Sequence, residues 1–411
     1  MRSFISQSAS LALALLGTAQ AHTSFTTLFV DGVNQGDGVC VRMHNNPQEA
    51  TFPIPDVTSK DVACGIDGEK GVARVCPVSA ASTLTFEFRE WPDGSNPGSI
   101  DDGHKGPCSV YMKKVDSAIA DNNAAGDGWF KIWDSTYDDG KWCTEKMIEN
   151  NGHISVKVPE DIAGGYYLVR TELLALHAAV DSPPDPQFYV GCAQVFVEST
   201  GTAKPDTVDI GEGFYDLDIP GLTYNIYDQP LKLPYPGFGP QAYKSKTLSS
   251  RRSDDKISTV GLGSPVQQSR SRNVETPKKP ETSALKQKEG LKPKGCVMQN
   301  ANWCGFEVPS YDNETDCWKS SGKCWDQSKT CWDSAPPTGG ANCDLWDSKC
   351  NEIDTRCNAG NFHGPPHAGK DMTPTPPRLV GGTDIFTKRD ESGLDATGMR
   401  RGWRHHRPVK F

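Results

Sequence analysis

The stretch ISVKVPEDIAGGYYLVR, residues 154–170, holds two short runs of β-forming residues separated by Pro, Asp and Gly. In the first run hydrophobic residues alternate with polar ones, which is the pattern of a strand with one buried face. Similar runs recur at residues 25–30, 84–88, 109–112 and 193–197. Helical periodicity is scarce between residues 22 and 240. Many short strands between turn residues predict an all-β, immunoglobulin/fibronectin-III-like antiparallel β-sandwich with long loops.

The first 21 residues have the three parts of a secretory signal peptide. Arg2 gives a positive start, residues 11–16 form a short apolar core, and Ala19-Gln20-Ala21 is a small-residue cleavage site. No later apolar stretch has the length needed to span a bilayer, so we expect no membrane partner. Secretion also predicts that most of the fourteen cysteines are disulfide-bonded. The net charge of −9 argues against a nucleic-acid partner.

The composition of the chain changes after residue 240. Residues 241–295 carry thirteen Lys or Arg and five Asp or Glu, with few apolar residues, and predict a disordered basic linker. This linker is either a solvated spacer or a segment that adheres to an acidic polymer. Residues 296–360 form a cysteine-rich module, and residues 361–411 predict a disordered tail. Asn313-Glu314-Thr315 is a glycosylation sequon, so Asn313 is a candidate glycan site.

The cysteine spacing of the module predicts a disulfide-linked helical hairpin. Two trios of cysteines have a spacing of seven residues, which places each trio on one face of a helix. The PPTGG segment, residues 336–340, must separate the two helices. Antiparallel packing then predicts four bridges: Cys317–Cys357, Cys324–Cys350, Cys331–Cys343 and, from the remaining pair, Cys296–Cys304.

Three tryptophans of the module follow the cysteines of the first trio. Trp318, Trp325 and Trp332 therefore form a second stripe on the same helix. The stripe either binds carbohydrate or packs to shield the disulfides. Asp312 or Asn313, and Asn342, are candidate caps for the two helices.

Cleavage after Ala21 makes His22 the first residue of the mature chain. A terminal histidine offers its α-amine and its imidazole Nδ1 to one metal ion, and a second imidazole completes a T-shaped set of three nitrogens that suits copper. His104 is the candidate second ligand, because Gly103 and Pro107 mark its segment as a loop before a strand. A surface histidine is the alternative.

Gln187 and Tyr189 are separated by two residues in a predicted strand, so their side chains share one face. An amide and a phenol could then point at the same site. Taken alone, Tyr189 also fits a core position.

These segments together resemble the fungal lytic polysaccharide monooxygenases of auxiliary activity family 9, formerly glycoside hydrolase family 61. That family begins its mature chain with histidine. Residues 104–112 match its H-x-G-P-x-x-x-Y-[LM] motif, residues 170–179 match R-x-E-x-x-A-L-H-x-A, and residues 187–192 match Q-x-Y-x-x-C. The resemblance covers roughly residues 22–240, and the four features occur in the family's order.

The resemblance implies a role for each matched residue. His22 and His104 would bind one copper ion as a histidine brace, with Tyr189 on the copper axis. His177 and Gln187 would act beside the oxygen-binding position. The implied reaction is the oxidative cleavage of a β-1,4-glucan such as cellulose at C1 and/or C4, with O2 or H2O2 and an external electron donor. We expect the enzyme to be secreted and monomeric.

Tyr235 lies in the YPGFGP segment, residues 235–240, which resembles a segment whose tyrosine stacks on sugar rings in this family. Packing against the protein is the alternative for Tyr235. The resemblance also implies a disulfide between Cys64 and Cys192. Counting the remaining cysteines gives Cys40–Cys76 and Cys108–Cys143 as further hypotheses.

Two other classes of function compete with the enzyme. A copper-binding or copper-transport protein could share the sandwich and the terminal histidine, but Gln187 together with Tyr189 favours the enzyme. A non-catalytic wall-binding protein is disfavoured because His22 and His104 are both present. A hydrolase with paired carboxylates is disfavoured as well, because the matched residues converge on nitrogen ligands.

Overall fold

The computed structural model describes residues 22–245 and 285–377. The predicted signal peptide (1–21), residues 246–284 of the predicted linker and residues 378–411 of the predicted tail lie outside the described residues. The described strands are β1 (Ser24–Val30), β2 (Val33–Asp37), β3 (Val41–Arg42), β4 (Cys76–Ser79), β5 (Thr83–Arg89), β6 (Cys108–Val115), β7 (Gly126–Ser135), β8 (His153–Lys157), β9 (Ala163–Ala175), β10 (Gln187–Thr200), β11 (Val208–Ile210), β12 (Cys296–Asn300) and β13 (Trp303–Phe306).

In residues 22–245 and 285–377 the helices are few, and they lie mainly in the cysteine-rich module. They are a 3₁₀ turn (Lys60–Ala63), α1 (Cys143–Glu149), α2 (Glu314–Asp333) and α3 (Ala341–Asn358). Within the described residues, no helix combines the length and the apolar character needed to cross a membrane.

The strands of residues 22–245 form two sheets. The smaller sheet has the order β2-β1-β5-β8, and the larger has the order β11-β7-β6-β9-β10-β3, with β4 added beside β10. The β4–β10 pair is parallel, and the other pairs of these two sheets are antiparallel. The predicted antiparallel β-sandwich is therefore confirmed.

Both faces of the larger sheet are buried. One face packs on the smaller sheet, where Leu28, Phe86 and Val169 belong to one fully buried cluster. The other face is covered by long loops, which place Tyr215 and Leu222 in a second cluster with Phe188 of β10. Burial on two sides explains the long apolar runs of β9 and β10. The loops therefore pack on a well-ordered sheet.

The module contains the predicted helical hairpin, with α2 and α3 packed together. Asn313 is the N-cap of α2, where its side chain accepts a hydrogen bond from the backbone N–H of Asp316. Asn342 does not cap α3, because its side chain donates to the carbonyl of Gln299, and Gly340 occupies the N-cap position. Seven disulfides join the same cysteines that the sequence paired: 40–76, 64–192, 108–143, 296–304, 317–357, 324–350 and 331–343.

The linker predicted for residues 241–295 includes folded residues at both of its ends. The Tyr243 hydroxyl donates to Asp161 of the sandwich at 2.8 Å. At the other end the Tyr166 hydroxyl accepts hydrogen bonds from the backbone N–H groups of Lys288 and Glu289, each at 2.8 Å. These segments are ordered because their aromatic and backbone groups find partners on the sandwich.

The first part of the predicted disordered tail is also folded, because it packs on the module. The backbone N–H of Met372 donates to the carbonyl of Val297 at 2.7 Å, and Tyr311 pairs with Gly364. Residues 361–377 therefore belong to the folded module and not to a disordered tail.

The module contacts the sandwich directly through the turn between β12 and β13. The Asn302 side chain accepts from the backbone N–H of Cys40 at 3.1 Å and donates to the carbonyl of Gly38 at 2.9 Å. A Cβ added at Gly38 would lie 3.0 Å from atoms of Ala301, Pro336 and Thr338. The turn after β2 is thus held in close contact with two loops of the module.

We expect Asn302→Ala to loosen this contact, because the change removes both hydrogen bonds to the turn after β2. The lost bonds should cost about 1–2 kcal/mol of docking free energy. Hydrogen–deuterium exchange of the peptide spanning residues 38–41 should accelerate, while the disulfide-linked helices keep their protection. Asn351→Ala, at an exposed position of α3, is the control. Unchanged exchange of residues 38–41 in Asn302→Ala would contradict the contact.

Candidate metal centre

His22 is anchored at the edge of the sandwich by the residue that follows it. The backbone N–H of Thr23 donates to the carbonyl of Thr51 at 3.1 Å, and its hydroxyl donates to the carbonyl of Ser99. Thr23 is buried, and β1 begins at Ser24. His22 is therefore held close to two loops before the first strand starts.

The loop that carries His104 is pressed against the end of β9. The backbone N–H of Leu174 donates to the carbonyl of Pro107 at 3.0 Å, and that of Leu176 donates to Lys105 at 2.9 Å. A Cβ added at Gly106 would lie 1.8 Å from the carbonyl oxygen of Leu174, so only glycine permits this approach. The loop fixes His104 beside His177, with 4.3 Å between the ring centroids.

Strand alternation places Gln187 and Tyr189 together, as the sequence predicted. The Tyr189 hydroxyl donates to Oε1 of Gln187 at 2.9 Å, and Nε2 of Gln187 donates to Asp185 at 3.0 Å. Phe188, between them, points to the opposite face and packs on Tyr215. The register of β10 against β9, with Tyr189 opposite Leu173, sets this orientation.

Three rings surround one small volume. The ring centroids of His22 and His104 are 6.2 Å apart, those of His22 and Tyr189 are 6.1 Å apart, and those of His104 and Tyr189 are 5.9 Å apart. Two imidazoles whose nitrogens each lie about 2 Å from a shared metal have centroids roughly 6 Å apart. Nδ1 of His22 is buried without a hydrogen-bond partner. Such an orphaned nitrogen fits a metal ligand.

Burial keeps both imidazoles neutral at neutral pH. Desolvation, with a smaller contribution from the neighbouring His177, lowers the pKa of His104 to about 4. The same two causes, in the same order, lower the pKa of His22. Burial raises the pKa of the Tyr189 phenol, so this group remains protonated. Two neutral imidazoles with free lone pairs are the form that a metal ion requires.

Among the described residues, no group of three or more His, Cys, Asp or Glu side chains is arranged to hold a metal. Cleavage after Ala21, as the sequence predicts, would give His22 a free α-amine as a further nitrogen donor beside these rings. Imidazole and amine nitrogens are a donor set that suits copper.

The family model for Auxiliary Activity family 9, formerly GH61, matches residues 22–235. The chain belongs to this family. AA9 family lytic polysaccharide monooxygenase C of Aspergillus tamarii is 58% identical over 382 residues, covering 92% of this chain and 96% of that protein. Monooxygenase A of Emericella nidulans is 53% identical over 381 residues, covering 92% of this chain and 62% of that protein. Monooxygenase D of Malbranchea cinnamomea is 41% identical, covering 54% of this chain and 92% of that protein.

Membership of family AA9 makes the chain a copper-dependent oxidoreductase of the lytic polysaccharide monooxygenase class. Enzymes of this family cleave polysaccharides oxidatively and are secreted by fungi. The competing functions, a copper carrier or a non-catalytic wall protein, are therefore set aside.

Tyr235 does not join the candidate centre of this AA9 enzyme. Its ring is only 9% exposed and packs edge-on against Trp142 and Tyr224, and its hydroxyl donates to the carbonyl of Gly221 at 2.6 Å. The structure thus favours the packing alternative for Tyr235, because the segment after residue 230 folds over the outer face of the larger sheet and covers the ring.

Two exposed aromatic residues near the centre were not expected from the sequence. Phe52 is 41% exposed, and its ring lies 4.9 Å from that of His22. Tyr227 is 61% exposed, and its hydroxyl donates to the carbonyl of His177 at 3.2 Å. Both lie in loops rich in turn residues, where no periodic pattern separates an exposed aromatic ring from a packed one.

We expect Gly106→Ala to destabilise the protein and displace His104. The added methyl group cannot fit beside the Leu174 carbonyl, so the loop must shift, at a cost of about 1–3 kcal/mol. Thermal unfolding and copper(II) titration of the mature chain would measure both effects. Gly322→Ala is the matched control, because this helical glycine has open space around it. That change should stabilise the protein by about 0.5–1 kcal/mol. Equal behaviour of the two variants would contradict the steric argument.

Proposed function

We propose that the mature chain, beginning at His22, binds one copper ion and cleaves β-1,4-glucan chains such as cellulose. The α-amine and Nδ1 of His22 and the imidazole of His104 would hold the ion, with the Tyr189 phenol beside them. Attack occurs at C1 and/or C4 with O2 or H2O2 and an external electron donor. The observation that supports this most strongly is the convergence of the three rings, with Nδ1 of His22 buried and unpartnered.

Copper, when bound, supplies the redox chemistry that activates O2 or H2O2 for oxidation of a sugar C–H bond. With O2, two electrons from the donor and two protons yield one hydroxylated carbon and one water, and hydroxylation of C1 or C4 then releases the glycosidic bond. With H2O2, the hydroxylation needs no further electrons. The protein therefore has to deliver protons and to hold the polymer.

His177 is placed to handle a proton beside the centre. Its ring lies 4.3 Å from that of His104, and its Nδ1 is buried without a hydrogen-bond partner. Gln187 holds the phenol of Tyr189 in position through the 2.9 Å hydrogen bond. His177 would thus donate or accept a proton beside the copper ion, while Gln187 holds the Tyr189 side chain in place.

Phe52 and Tyr227 provide the nearest exposed ring faces for the polymer. Phe52 contacts the ring of His22, and Tyr227 is tied to the backbone of His177. An aromatic face fits the C–H face of a pyranose, so these rings would contact sugar units beside the attacked bond. They replace Tyr235 in this role.

The remaining expectations from the sequence complete the proposal. The chain is secreted after removal of residues 1–21, acts as a monomer and carries a glycan on Asn313. Residues 22–240 form the catalytic domain, and the module extends from residue 296 to residue 377. The Asn313 side chain also caps α2, so a glycan there has to leave the hydrogen bond from Asp316 in place.

The decisive test is to produce the chain with His22 as its first residue, load it with copper, add a reductant and analyse cellulose by mass spectrometry. We expect oxidised oligosaccharides. An extra residue before His22, or His22→Ala, should abolish tight copper binding and product formation, because each removes nitrogen donors. Unchanged copper affinity in both variants would exclude the brace, and an absence of oxidised products from every β-glucan would exclude the proposed substrate.

His177→Ala should separate catalysis from metal binding. Loss of the proton-handling ring should slow product formation about 10–100-fold, while copper affinity stays near that of the parent chain. Isothermal titration and product analysis of the same preparation would measure the two quantities. His363→Ala, at an exposed position of the module, is the control. A parallel loss of affinity and rate in His177→Ala would argue that the ring only supports the fold of the site.

A further inference from the structure

We propose that Trp318, Trp325 and Trp332 form a binding row for a β-1,4-linked glucan chain on the cysteine-rich module. The three residues lie seven apart on the continuous helix α2. This spacing separates successive indoles by about 10.5 Å along the helix axis. That distance is close to the length of two sugar units in an extended β-1,4-linked chain. Successive rings would therefore meet equivalent faces of alternate sugars.

The row occupies a free side of the module. Cys317, Cys324 and Cys331 of α2 are fully buried against α3, and the indoles lie beside this seam. The opposite flank of α2 is covered by the β12–β13 hairpin, where the Gln327 side chain bonds both backbone groups of Phe306. Trp318 is 40% exposed and Trp332 is 43% exposed, whereas Trp325 is half-buried.

Shielding of the disulfides does not account for this exposure. The half-buried Trp325 packs against the core of the module, so it serves that purpose by itself. The rings at the two ends of the row therefore remain accessible to a partner.

Two of the indoles are held by carboxylates of α3. Nε1 of Trp325 donates to Asp354, and Nε1 of Trp332 donates to Asp347, each at 3.0 Å. The two aspartates are themselves seven residues apart, so the support repeats with the same period as the row. Rings fixed at one edge lose less conformational freedom when a ligand covers their faces.

The carboxylates beside the tryptophan row favour a neutral ligand over an anionic one. Asp347 and Asp354 also accept hydrogen bonds from Ser328 and Ser321, so two carboxylates lie beside the Trp325 and Trp332 part of the row. Carboxylates repel phosphate or sulfate groups and accept hydrogen bonds from sugar hydroxyls. A neutral polymer rich in hydroxyl groups fits this surface better than a polyanion does.

One end of the row lies next to the loop that carries His104. The Trp332 ring contacts Gly340, since a Cβ added there would lie 2.5 Å from it. A Cβ added at the adjacent Gly339 would lie 3.6 Å from Asp93. Asp93 belongs to the loop that runs from the end of β5 to His104 and also presents Trp91, which is 40% exposed. The Trp332 end of the row is thus close to the loop that leads to His104.

Removal of the outer rings tests the row. The choice of β-glucan as ligand rests on the proposed function, so binding is measured on the full mature enzyme, copper-loaded and without reductant. The loss of enzyme from solution on addition of microcrystalline cellulose measures its affinity for the polymer. This affinity should fall about tenfold in Trp318→Ala or Trp332→Ala. Phe306→Ala is the matched control, because Phe306 is 43% exposed on the hairpin side of the module. Trp318→Tyr should keep most of the binding, and circular dichroism verifies that each variant is folded.

The outcomes distinguish a failure of the tryptophan row from a failure of the proposed reaction. Unchanged retention in Trp318→Ala and Trp332→Ala, or an equal loss in Phe306→Ala, would overturn the row even if oxidised products form normally. Equal tryptophan-dependent retention on starch would also overturn it, since an α-linked chain lacks the repeat that the row fits. Tryptophan-dependent retention on cellulose without any oxidised product would support the row and count against the proposed reaction.

Discussion

Strands β9 and β10 pair in an antiparallel ladder that extends from Gln187 opposite Ala175 to Thr200 opposite Ala163. Side chains alternate along such a ladder, so a slip of one residue would turn Tyr189 away from His22 and bring Phe188 to the metal. The same β9 pairs with β6 on its other side and ties the His104 loop through Leu174 and Leu176. The register of β9 therefore sets the positions of Tyr189, His104 and His177 together. The disulfide between Cys64 and Cys192 fixes the ladder to the 3₁₀ turn near residue 60.

The outer face of β9 contains a buried charge pair that explains part of the R-x-E motif. Arg170 and Glu172 are fully buried, form an ion pair and share one face of the strand. Tyr215 donates to Glu172, and Arg170 donates to the carbonyl of Val62. Removal of one partner would leave an uncompensated buried charge, which is strongly destabilising. Arg170 and Glu172 thus anchor the covering loops to the strand from which the site is built.

The features that the sequence predicts well are those with a local period. Alternation along β10 predicts that Gln187 and Tyr189 share a face, and the seven-residue spacing of cysteines predicts the helical hairpin and its three bridges. His22 and His104 are separate candidates from the sequence, one as the predicted mature terminus and one as a loop histidine. No local pattern links residues so distant in the chain, so their shared site and the role of His177 are what the family resemblance implies. The burial of Tyr235 and the exposure of Phe52 and Tyr227 depend on how loops cover the larger sheet. The contact of Asn302 with Cys40 joins groups 262 residues apart, and no periodic signal announces it.

The contacts at the two ends of the linker change how the module relates to the catalytic domain. For a tethered module, the length of the linker sets the effective concentration of one domain at the other. Here Tyr243 is bonded to Asp161, and Gln287 and Gly290 are bonded to Val75, so both ends of residues 246–284 are anchored on the sandwich. Lengthening that segment changes the entropy of closing a loop, which varies only slowly with length, and leaves the docked module where it is. The position of the module on the sandwich is therefore set by direct contacts at Gly38, Cys40 and Asp93 and not by the length of the linker.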